Sequence, residues 1–325
     1  SKIVRSPRSY NSQIGVPLSV WQLRPDTQLG IFEAGISMPG EMAKLEHVVR
    51  PTIGIFTNIG DAHQENFISQ QQKITEKLKL FTHAKVLIYN EDNPHLDAEI
   101  KQAGLDAALL SWGQQPDCYL QLLSINKSAT QTELVVKRQY VQYTFQIPFT
   151  DDASVENAMH CIACLIYQGY NVGDINSKLS QLERVAMRLE VKHGVQDCLI
   201  INDSYNADLN ALNIALDFLS QQSVSKQLSK TIILSDILQS GFQPDVLYQK
   251  VAELILARNC HRFIGIGDEI GRHAAAFSAI ESYFFPTTES FLNDPISAGF
   301  RHEAILLKCS RKFGFEQISH KLELI

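Results

Sequence analysis

Three polar side chains follow two short apolar segments near the start of the chain. Glu33 lies at the end of LGIFEA (29–34), and Asn58 and His63 lie at and beyond the end of IGIFTN (53–58). Ligands of α/β sheets usually bind at the carboxyl ends of the strands. A carboxylate and an imidazole at adjacent strand ends would suit a divalent cation. On these residues alone, a solvated carboxylate and a hydrogen-bonded loop histidine are the favoured alternative.

Lys77 lies on the margin of an apolar helical stripe. Ile74, Leu78 and Phe81 recur at helical spacing, and Lys77 stands beside them, four residues after Lys73. Like charges at that spacing are destabilising by about 0.2 to 0.5 kcal/mol, and burying an ammonium costs more. This placement indicates a special role for Lys77. The alternative is a lysine whose stem packs while its ammonium reaches water.

In the second half, NDSYNAD (202–208) follows the apolar run CLII and precedes a predicted helix. Asp203, Tyr205 and Asn206 are therefore expected at a strand end beside a helix N-terminus, where backbone N–H groups favour phosphate and other anions. The equal alternative is a simple helix cap by Asp208 or Asn206.

The segment LLKCSR (306–311) places Lys308, Ser310 and Arg311 at the end of the last predicted strand. These residue types are typical of an anion clamp, and a surface turn is the alternative. No G-x-x-x-x-G-K-[ST] phosphate loop occurs, and GIGDEIG (265–271) lacks the lysine and hydroxyl of one. We interpret that segment as a strand-to-helix turn.

These residues must be positioned by alternating strands and helices, the pattern of an α/β protein. Four strand–helix alternations after Arg188 predict a parallel sheet with helices on both faces. The boundary there separates predicted domains 1–187 and 188–325, which we expect to meet across a cleft. The predicted elements are strands over 29–34, 53–58, 84–89, 106–111, 197–202, 230–235, 261–266 and 304–308, a hairpin over 132–147, and helices over 40–48, 69–82, 153–169, 208–221, 244–258, 268–277 and 314–323.

The composition is that of a folded protein long enough for two domains. The 325 residues are 45% hydrophobic and 20% charged, with a net charge of −6. The negative charge argues against nucleic acid as the main partner. No run approaches the ~18 apolar residues of a membrane span, and no signal-peptide core stands at the start. We therefore expect no membrane insertion and a cytoplasmic location.

Six cysteines are scattered through apolar or strand-like segments, and we expect reduced thiols. Cys161 and Cys164 form the only CxxC pair. Because no second pair follows, we expect a buried structural role in a helix rather than a zinc site.

Eight segments stand in a recognisable order and spacing over nearly the whole chain. They are YNSQIGVPLSVWQL (10–23), FEAGISMPGEM (32–42), TNIGDAHQENF (57–67), EKLKLF (76–81), ENAMHCIAC (156–164), VAMRLE (185–190), NDSYNAD (202–208) and KCSR (308–311). Together they resemble the Mur ligases. The resemblance implies a central P-loop-type ATPase α/β domain that is truncated at its N-terminus, followed by a Rossmann-like doubly wound C-terminal domain.

The IGVPLS segment and the E-x-G-x-x-x-P-G-E pattern look most similar to one branch of the family. That branch adds D-alanyl-D-alanine to UDP-N-acetylmuramoyl-tripeptide in the cytoplasm, for peptidoglycan synthesis. The resemblance implies that ATP phosphorylates the peptide's terminal carboxylate and that the dipeptide amine attacks the acyl phosphate. Alternatives are a folylpolyglutamate synthetase, another Mur-type amino acid ligase, or a non-catalytic binding module of the same fold.

The resemblance also implies a metal site. Glu33 and His63 match the family's magnesium ligands, and Lys77 matches its carbamylated lysine. A carbamate turns the lysine into an anionic oxygen ligand, which would explain a lysine on an apolar margin beside Lys73.

Further matches concern the nucleotide and the substrates. Asn157 matches an asparagine that contacts the nucleotide, and Arg188 matches a linker arginine that reaches the ATP ribose or phosphates. ATP would be held between both halves, and domain closure would assemble the site. Asp203, Tyr205 and Asn206 match the nucleotide contacts of the C-terminal domain, and the residues expected at the substrates are Asn11, Ser12, Asn58, Lys308, Ser310 and Arg311.

The chain departs from the family pattern in several places. The phosphate loop and the domain that holds the UDP group are expected upstream of residue 1, so the sequence predicts an incomplete ligase. Asp208 and Leu209 replace the usual asparagine and proline. Cys309 replaces a usual glycine, which puts close backbone approach there in doubt. A fused alanine racemase domain downstream is compatible with the resemblance.

Overall fold

The chain divides into two compact units in the computed structural model, which describes residues 2–7, 9–60, 64–128, 130–183, 185, 187–238 and 240–323. Unit 1 comprises Ser1–Asn126, Glu133–Ile147 and Val155–Ser180, and unit 2 comprises Lys127–Thr132, Pro148–Ser154 and Gln181–Ile325. The sequence predicts a boundary at Arg188, and the main division lies between Ser180 and Gln181. Within the described ranges, no helix is long and apolar enough to cross a bilayer.

Unit 1 alternates short strands and helices and then adds a hairpin and two further helices. Its elements are β1 (Ile3–Arg5), α1 (Gly15–Val20), β2 (Leu29–Ile31), α2 (Glu41–Val49), β3 (Ile53–Phe56), α3 (Gln70–Leu78), β4 (Val86–Asn90), α4 (Pro94–Gln102), β5 (Ala108–Gly113), β6 (Leu120–Lys127), β7 (Thr132–Arg138), β8 (Val141–Ile147), α5 (Asp152–Tyr167) and α6 (Val172–Leu179). Single 3-10 turns follow at Gln64–Asn66 and Lys79–Phe81.

Two separate sheets form in this unit. β1 and β2 make a parallel pair, and the second sheet has the order β3-β4-β5-β6-β7-β8. Its first four strands are parallel neighbours. The predicted hairpin over 132–147 is confirmed, with Gln139 in the left-handed conformation at its turn.

The prediction of a buried strand over 29–34 is wrong. β2 ends at Ile31, whose side chain is 53% exposed, and Glu33 lies two residues further on. β2 pairs with β1, a segment too short for its periodicity to be recognised. Glu33 and Asn58 therefore follow strands of different sheets and not adjacent strands of one sheet, because chain order alone does not decide which strands pair.

The apolar stripe of α3 is confirmed, and it fixes how this helix lies on the sheet. Ile74, Leu78 and Phe81 are buried in one cluster with Phe56 of β3. Burial of each such side chain contributes about 1.5 to 3 kcal/mol. Ser69 caps the helix by accepting a hydrogen bond of 3.1 Å from the backbone N–H of Gln72.

Unit 2 contains a larger set of strand–helix repeats. Its elements are β9 (Glu190–His193), β10 (Leu199–Asp203), α7 (Leu209–Lys226), β11 (Ser229–Ser235), α8 (Pro244–Leu256), β12 (Arg262–Ile266), α9 (Asp268–Arg272), β13 (Glu281–Phe285), α10 (Thr288–Asn293), β14 (Glu303–Lys308) and α11 (Glu316–Leu322).

The predicted parallel sheet with helices on both faces is confirmed in unit 2. The strand order is β13-β12-β11-β14-β10-β9, and only β9 runs antiparallel to its neighbour. Alternate residues of β10 enter two different cores: Ile201 packs with the cluster of α7 and α8, and Ile200 with that of α10 and α11. β13 and α10 were not predicted, because Glu281 and Tyr283 leave no continuous apolar run.

The cysteine pair of α5 differs from the expectation of a buried structural role. Cys161 is exposed and Cys164 is half-buried, because they lie outside the helix face that buries Met159, Ile162 and Ala163. All six cysteines are free thiols.

Gly267, between β12 and α9, combines a positive φ with a close approach of another side chain. Its φ is 141°, and a Cβ atom there would lie 2.3 Å from the Asp236 carboxylate. We expect Gly267→Ala to lower the free energy of unfolding of unit 2 by about 2 kcal/mol or more. Gly271→Ala is the matched control, because nothing lies within 4 Å of its added Cβ. Calorimetry of both variants tests this, and equal unfolding temperatures would contradict it.

Candidate active site

Two lysines of α3 hold the backbone that follows β3. The Lys77 ammonium donates a hydrogen bond of 3.1 Å to the Asn58 carbonyl, and the buried Lys73 ammonium donates one of 2.6 Å to the Gly60 carbonyl. Their i, i+4 spacing places both on one side of the helix, next to the apolar stripe that fixes it. The structure thus brings two predicted site residues, Lys77 and Asn58, into direct contact.

The pKa of Lys77 is strongly perturbed. Partial burial disfavours the ammonium form, and the charge of Lys73 adds repulsion, so that the pKa of Lys77 falls to about 8. The ammonium also lies 5.3 Å from the centre of the Phe56 ring. Compared with an ordinary lysine, the neutral amine at pH 7 is about 300-fold more abundant. The amine is therefore a nucleophile near neutral pH.

His160 of α5 reaches the same stretch of backbone. Its Nε2 lies 3.0 Å from the Thr57 carbonyl oxygen, and its Nδ1 accepts a hydrogen bond of 2.9 Å from the Trp112 indole. Asn157 lies one turn earlier on α5 with an exposed side chain. Glu156, the residue before Asn157, is partly buried, which raises its pKa although Asn90 donates a hydrogen bond to it.

Glu33 and Asn11 form a second contact between predicted site residues. The Asn11 amide donates a hydrogen bond of 2.9 Å to Glu33 Oε1, and the Glu33 backbone N–H donates to Ser6 Oγ. Ser12 accepts a hydrogen bond of 3.1 Å from the Gly15 N–H, at the start of α1. The Glu33 carboxylate is exposed and accessible to a ligand.

The predicted metal ligand His63 lies outside the described residues. Among the residues that are described, no three His, Cys, Asp or Glu side chains come together as a metal site. The metal set of Glu33, His63 and Lys77 therefore stays a prediction. Its donor chemistry fits magnesium only if Lys77 carries a carbamate, because an amine nitrogen is a poor ligand for a hard cation.

In unit 2, the ends of β10 and β14 carry a buried ion pair. Asp203 and Lys308 lie opposite each other in the parallel register, and the Lys308 ammonium donates to the Asp203 carboxylate. The other oxygen of Asp203 accepts a hydrogen bond of 3.1 Å from the Leu189 N–H. Because Lys308 is only 2% exposed and pairs with Asp203, its charge is neutralised inside the protein.

Two arginines converge on one aromatic ring beside this pair. The guanidinium of Arg188 lies 4.6 Å and that of Arg311 5.9 Å from the centre of the Tyr205 ring. Both arginines are exposed. Met187 and Leu189, on either side of Arg188, are both left-handed, a strained conformation that is concentrated at functional sites. The cluster presents two positive charges to solvent, which suits a phosphate or carboxylate.

The other predicted residues of unit 2 have internal roles as well. Asp208 caps α7 through the Ala211 N–H at 2.8 Å, so the helix-cap alternative is confirmed for Asp208. The exposed Asn206 donates to the same carboxylate. The buried Ser310 donates its backbone N–H to Ser235 Oγ.

Cys309, which departs from the family pattern, is fully buried. Its Sγ lies 3.3 Å from the Ser204 carbonyl, and burial raises the pKa of this thiol to about 12. Cys309 is therefore a packing residue and not a nucleophile.

Sequence reasoning missed Lys73, Trp112 and His160. The signal for His160 was available in ENAMHCIAC, where polar residues at positions 156, 157 and 160 form a stripe on an otherwise apolar helix. Trp112 and Lys73 gave no such signal, because their contacts join segments that are far apart in sequence.

Comparison with known proteins identifies the family of the chain. Residues 1–165 match the model of the Mur ligase middle domain. A UDP-N-acetylmuramoyl-tripeptide–D-alanyl-D-alanine ligase of Bacillus subtilis is 26% identical over 325 residues, which cover 98% of this chain and 69% of that protein.

Solved structures give the same result for the fold. MurF from Acinetobacter baumannii superposes with a TM-score of 0.83 at 22% identity, over 98% of this chain and 70% of that one. The MurF ligase from Thermotoga maritima in complex with ADP gives a TM-score of 0.80 at 18% identity, over 98% and 73%.

Together, the fold and these matches define an ATP-dependent ligase that forms amide bonds. The chain belongs to the Mur ligase family, and the membership predicted from the eight sequence segments is confirmed.

The buried ion pair predicts a strong stability coupling. Lys308→Met leaves the Asp203 carboxylate buried without its cation, and we expect a loss of about 3 to 5 kcal/mol in the free energy of unfolding. Asp203→Asn in the same chain removes the unpaired charge while the amide oxygen still accepts from Leu189. The double variant should therefore be more stable than Lys308→Met alone. Urea denaturation of the wild type, both single variants and the double variant measures the coupling; additive losses would exclude it.

Proposed function

We propose that the gene product containing this chain catalyses ATP-dependent addition of D-alanyl-D-alanine to UDP-N-acetylmuramoyl-tripeptide. In this reaction the terminal carboxylate of the tripeptide attacks the γ-phosphorus of ATP, which gives an acyl phosphate and ADP. The dipeptide amine then attacks the acyl carbon, loses a proton and displaces phosphate. The curated relative from Bacillus subtilis is named for this reaction. In the chain itself, the carrying observation is the Lys77 amine, held at the end of β3 with its pKa lowered to about 8.

A neutral Lys77 amine is suited to carbamate formation. The Nζ lone pair attacks the carbon of CO₂, and loss of one proton leaves an N-bound carboxylate. The nitrogen keeps one hydrogen, so its hydrogen bond to the Asn58 carbonyl can persist. That bond would fix the direction of the new carboxylate.

In the proposed site, Glu33, His63 and a Lys77 carbamate would hold magnesium. The bound ion would neutralise negative charge on the phosphate oxygens. The Asn11 amide orients the Glu33 carboxylate through Oε1. This oxygen-rich set is the kind that magnesium prefers.

In the same proposal, unit 2 recognises ATP through Arg188, Tyr205 and Arg311. Two guanidinium groups over one ring give a fixed pair of charges for phosphate oxygens. Asp203 holds the turn that presents Arg188 by accepting from the Leu189 N–H, and Lys308 neutralises Asp203. Both are therefore positioning residues in this proposal.

The remaining exposed amides complete the assignment. Asn157 and Asn206, whose side chains are exposed, are each assigned to the nucleotide on the family resemblance. Asn58 and Ser12 are assigned to the peptide substrates, and Ser310 to the segment that faces the incoming dipeptide. We also retain a cytoplasmic location as part of the proposal.

The first test measures phosphate release with ATP, magnesium, UDP-N-acetylmuramoyl-tripeptide and D-alanyl-D-alanine, on this chain and on the gene product that contains it. We expect release that requires both substrates from the longer protein. Lys77→Ala should lower turnover at least about 100-fold, because it removes a metal ligand, and short carboxylates should restore part of it.

Lys101→Ala is the control for this variant, because Lys101 is a lysine of the same unit with surface ion pairs. It should keep full turnover. Unchanged turnover of Lys77→Ala would exclude the carbamate role. If neither wild-type protein releases phosphate although both are folded, another amino acid substrate or a binding module becomes the better interpretation.

The arginine pair predicts a separable effect on nucleotide binding. Arg188→Ala and Arg311→Ala should each weaken ATP binding about tenfold, because each removes one charge-assisted contact with phosphate. Arg272→Ala is the control, since this exposed arginine pairs with Glu269. Isothermal titration calorimetry with ATP gives the dissociation constants. A similar loss in all three variants would indicate general electrostatics rather than a site.

A further inference from the structure

His160 is a buried histidine on α5 that contacts two distant segments. It is 2% exposed, and its ring lies edge-on to the Trp112 ring, with centres 5.1 Å apart and an interplanar angle of 83°. One ring nitrogen contacts the indole of β5, and the other contacts the Thr57 carbonyl that follows β3. Both polar atoms of the imidazole are therefore satisfied inside the protein.

The chemistry of these two partners fixes the tautomer. An indole N–H can only donate, so His160 Nδ1 must be an unprotonated acceptor. A carbonyl oxygen can only accept, so His160 Nε2 must carry the proton and donate it to Thr57. In a doubly protonated His160 ring, the Nδ1–H donor would face the Trp112 indole N–H donor, and this hydrogen bond would be lost. Burial agrees with this, because it lowers the pKa of His160 to about 4 and keeps the ring neutral at ordinary pH.

The Thr57 carbonyl is the first of three held acceptors in one short stretch. Thr57 O contacts His160, Asn58 O accepts from Lys77 and Gly60 O accepts from Lys73. The Thr57 carbonyl belongs to the peptide plane that leads into Asn58. The orientation of that plane therefore constrains where the next carbonyl, the acceptor of Lys77, can point.

We propose that His160 is a positioning residue that orients the Thr57–Asn58 peptide and so holds the Asn58 carbonyl opposite Lys77. Its effect on turnover rests on the proposed function of Lys77. The Trp112 indole orients the His160 ring, and the His160 ring orients the Thr57 carbonyl. The Thr57 carbonyl in turn constrains the backbone at Asn58, to which the Lys77 amine donates.

An apolar side chain could fill the same space without the cost of burying two polar atoms. The neighbours of His160 on the buried face of α5, Met159 and Ile162, are apolar and fully buried. The two hydrogen bonds of His160, one from the Trp112 indole and one to the Thr57 carbonyl, offset that cost, and the second holds the backbone after β3. Because the two buried nitrogens of His160 are each used in a hydrogen bond, we assign this residue more than a packing role.

The test compares four variants of the gene product that contains this chain. His160→Phe keeps a ring and removes both hydrogen bonds, and His160→Gln restores a donor near the position of Nε2. Trp112→Phe releases the ring of His160 but leaves its donor. Ile162→Ala is the matched control, because it creates a cavity beside the same helix and Ile162 has no polar side-chain atom that could bond to Thr57.

The functional readouts of this test are turnover and the KM for ATP. The NMR readouts are the Lys77 carbamate signal with ¹³C-bicarbonate and the amide shifts of Thr57, Asn58 and Gly60. His160→Phe should lower kcat about tenfold and weaken the carbamate signal, with KM for ATP changed less than about twofold. His160→Gln should recover most of both. Ile162→Ala should change neither, although it lowers the unfolding temperature.

The outcomes separate this inference from the proposed function. Equal kcat losses in His160→Phe and Ile162→Ala, or no recovery in His160→Gln, would overturn the positioning role. If His160→Phe does not fold, Trp112→Phe against Ile162→Ala gives the same comparison. If the wild type shows neither turnover nor carbamate, the proposed function fails. The amide shifts then decide for His160: movement in His160→Phe that His160→Gln reverses supports the role, and unchanged shifts contradict it.

Discussion

A strand at the edge of a parallel sheet leaves the carbonyl groups beyond its end without strand partners, and the site in unit 1 depends on how these groups are satisfied. After β3, the acceptors are met by side chains from α3 and α5, namely Lys77, Lys73 and His160. The apolar face of α3 is fixed in the core, and α5 buries Val155, Met159 and Ile162. Hydrophobic burial therefore fixes the positions of the helices, and the helices fix the conformation of the backbone after β3, on which the chemistry depends.

In unit 2, a single carboxylate connects the groups at the strand ends. Asp203 ends β10 and accepts hydrogen bonds from the Leu189 N–H and the Lys308 ammonium. It therefore joins the turn at 187–189 to the end of β14. Arg188, inside that turn, is thereby directed to Tyr205. A buried ion pair adds little net stability, but its loss leaves an uncompensated charge, and it fixes a unique arrangement of strand ends.

Several features were predictable because their signal is local. The stripe of Ile74, Leu78 and Phe81 identifies α3, and a lysine on its margin singles out Lys77 without any contact being known. The strand–helix repeats after Arg188 predict the parallel sheet. By contrast, Glu33 was expected on a strand adjacent to β3, and β2 instead pairs with β1. Strand pairing is a contact between distant segments, and no periodicity along the chain encodes it.

The sequence by itself determined the fold class, the family and the residue types that carry charge at the strand ends. These follow from periodicity and from motif order, which are properties of neighbouring residues. Only the tertiary structure decided that Lys308 is used internally, that Arg188 and Arg311 share one ring, and that His160 and Trp112 hold the backbone beside Lys77. Hydrogen bonds and desolvation depend on atoms that meet only when distant segments fold together, and these contacts give each polar residue its role.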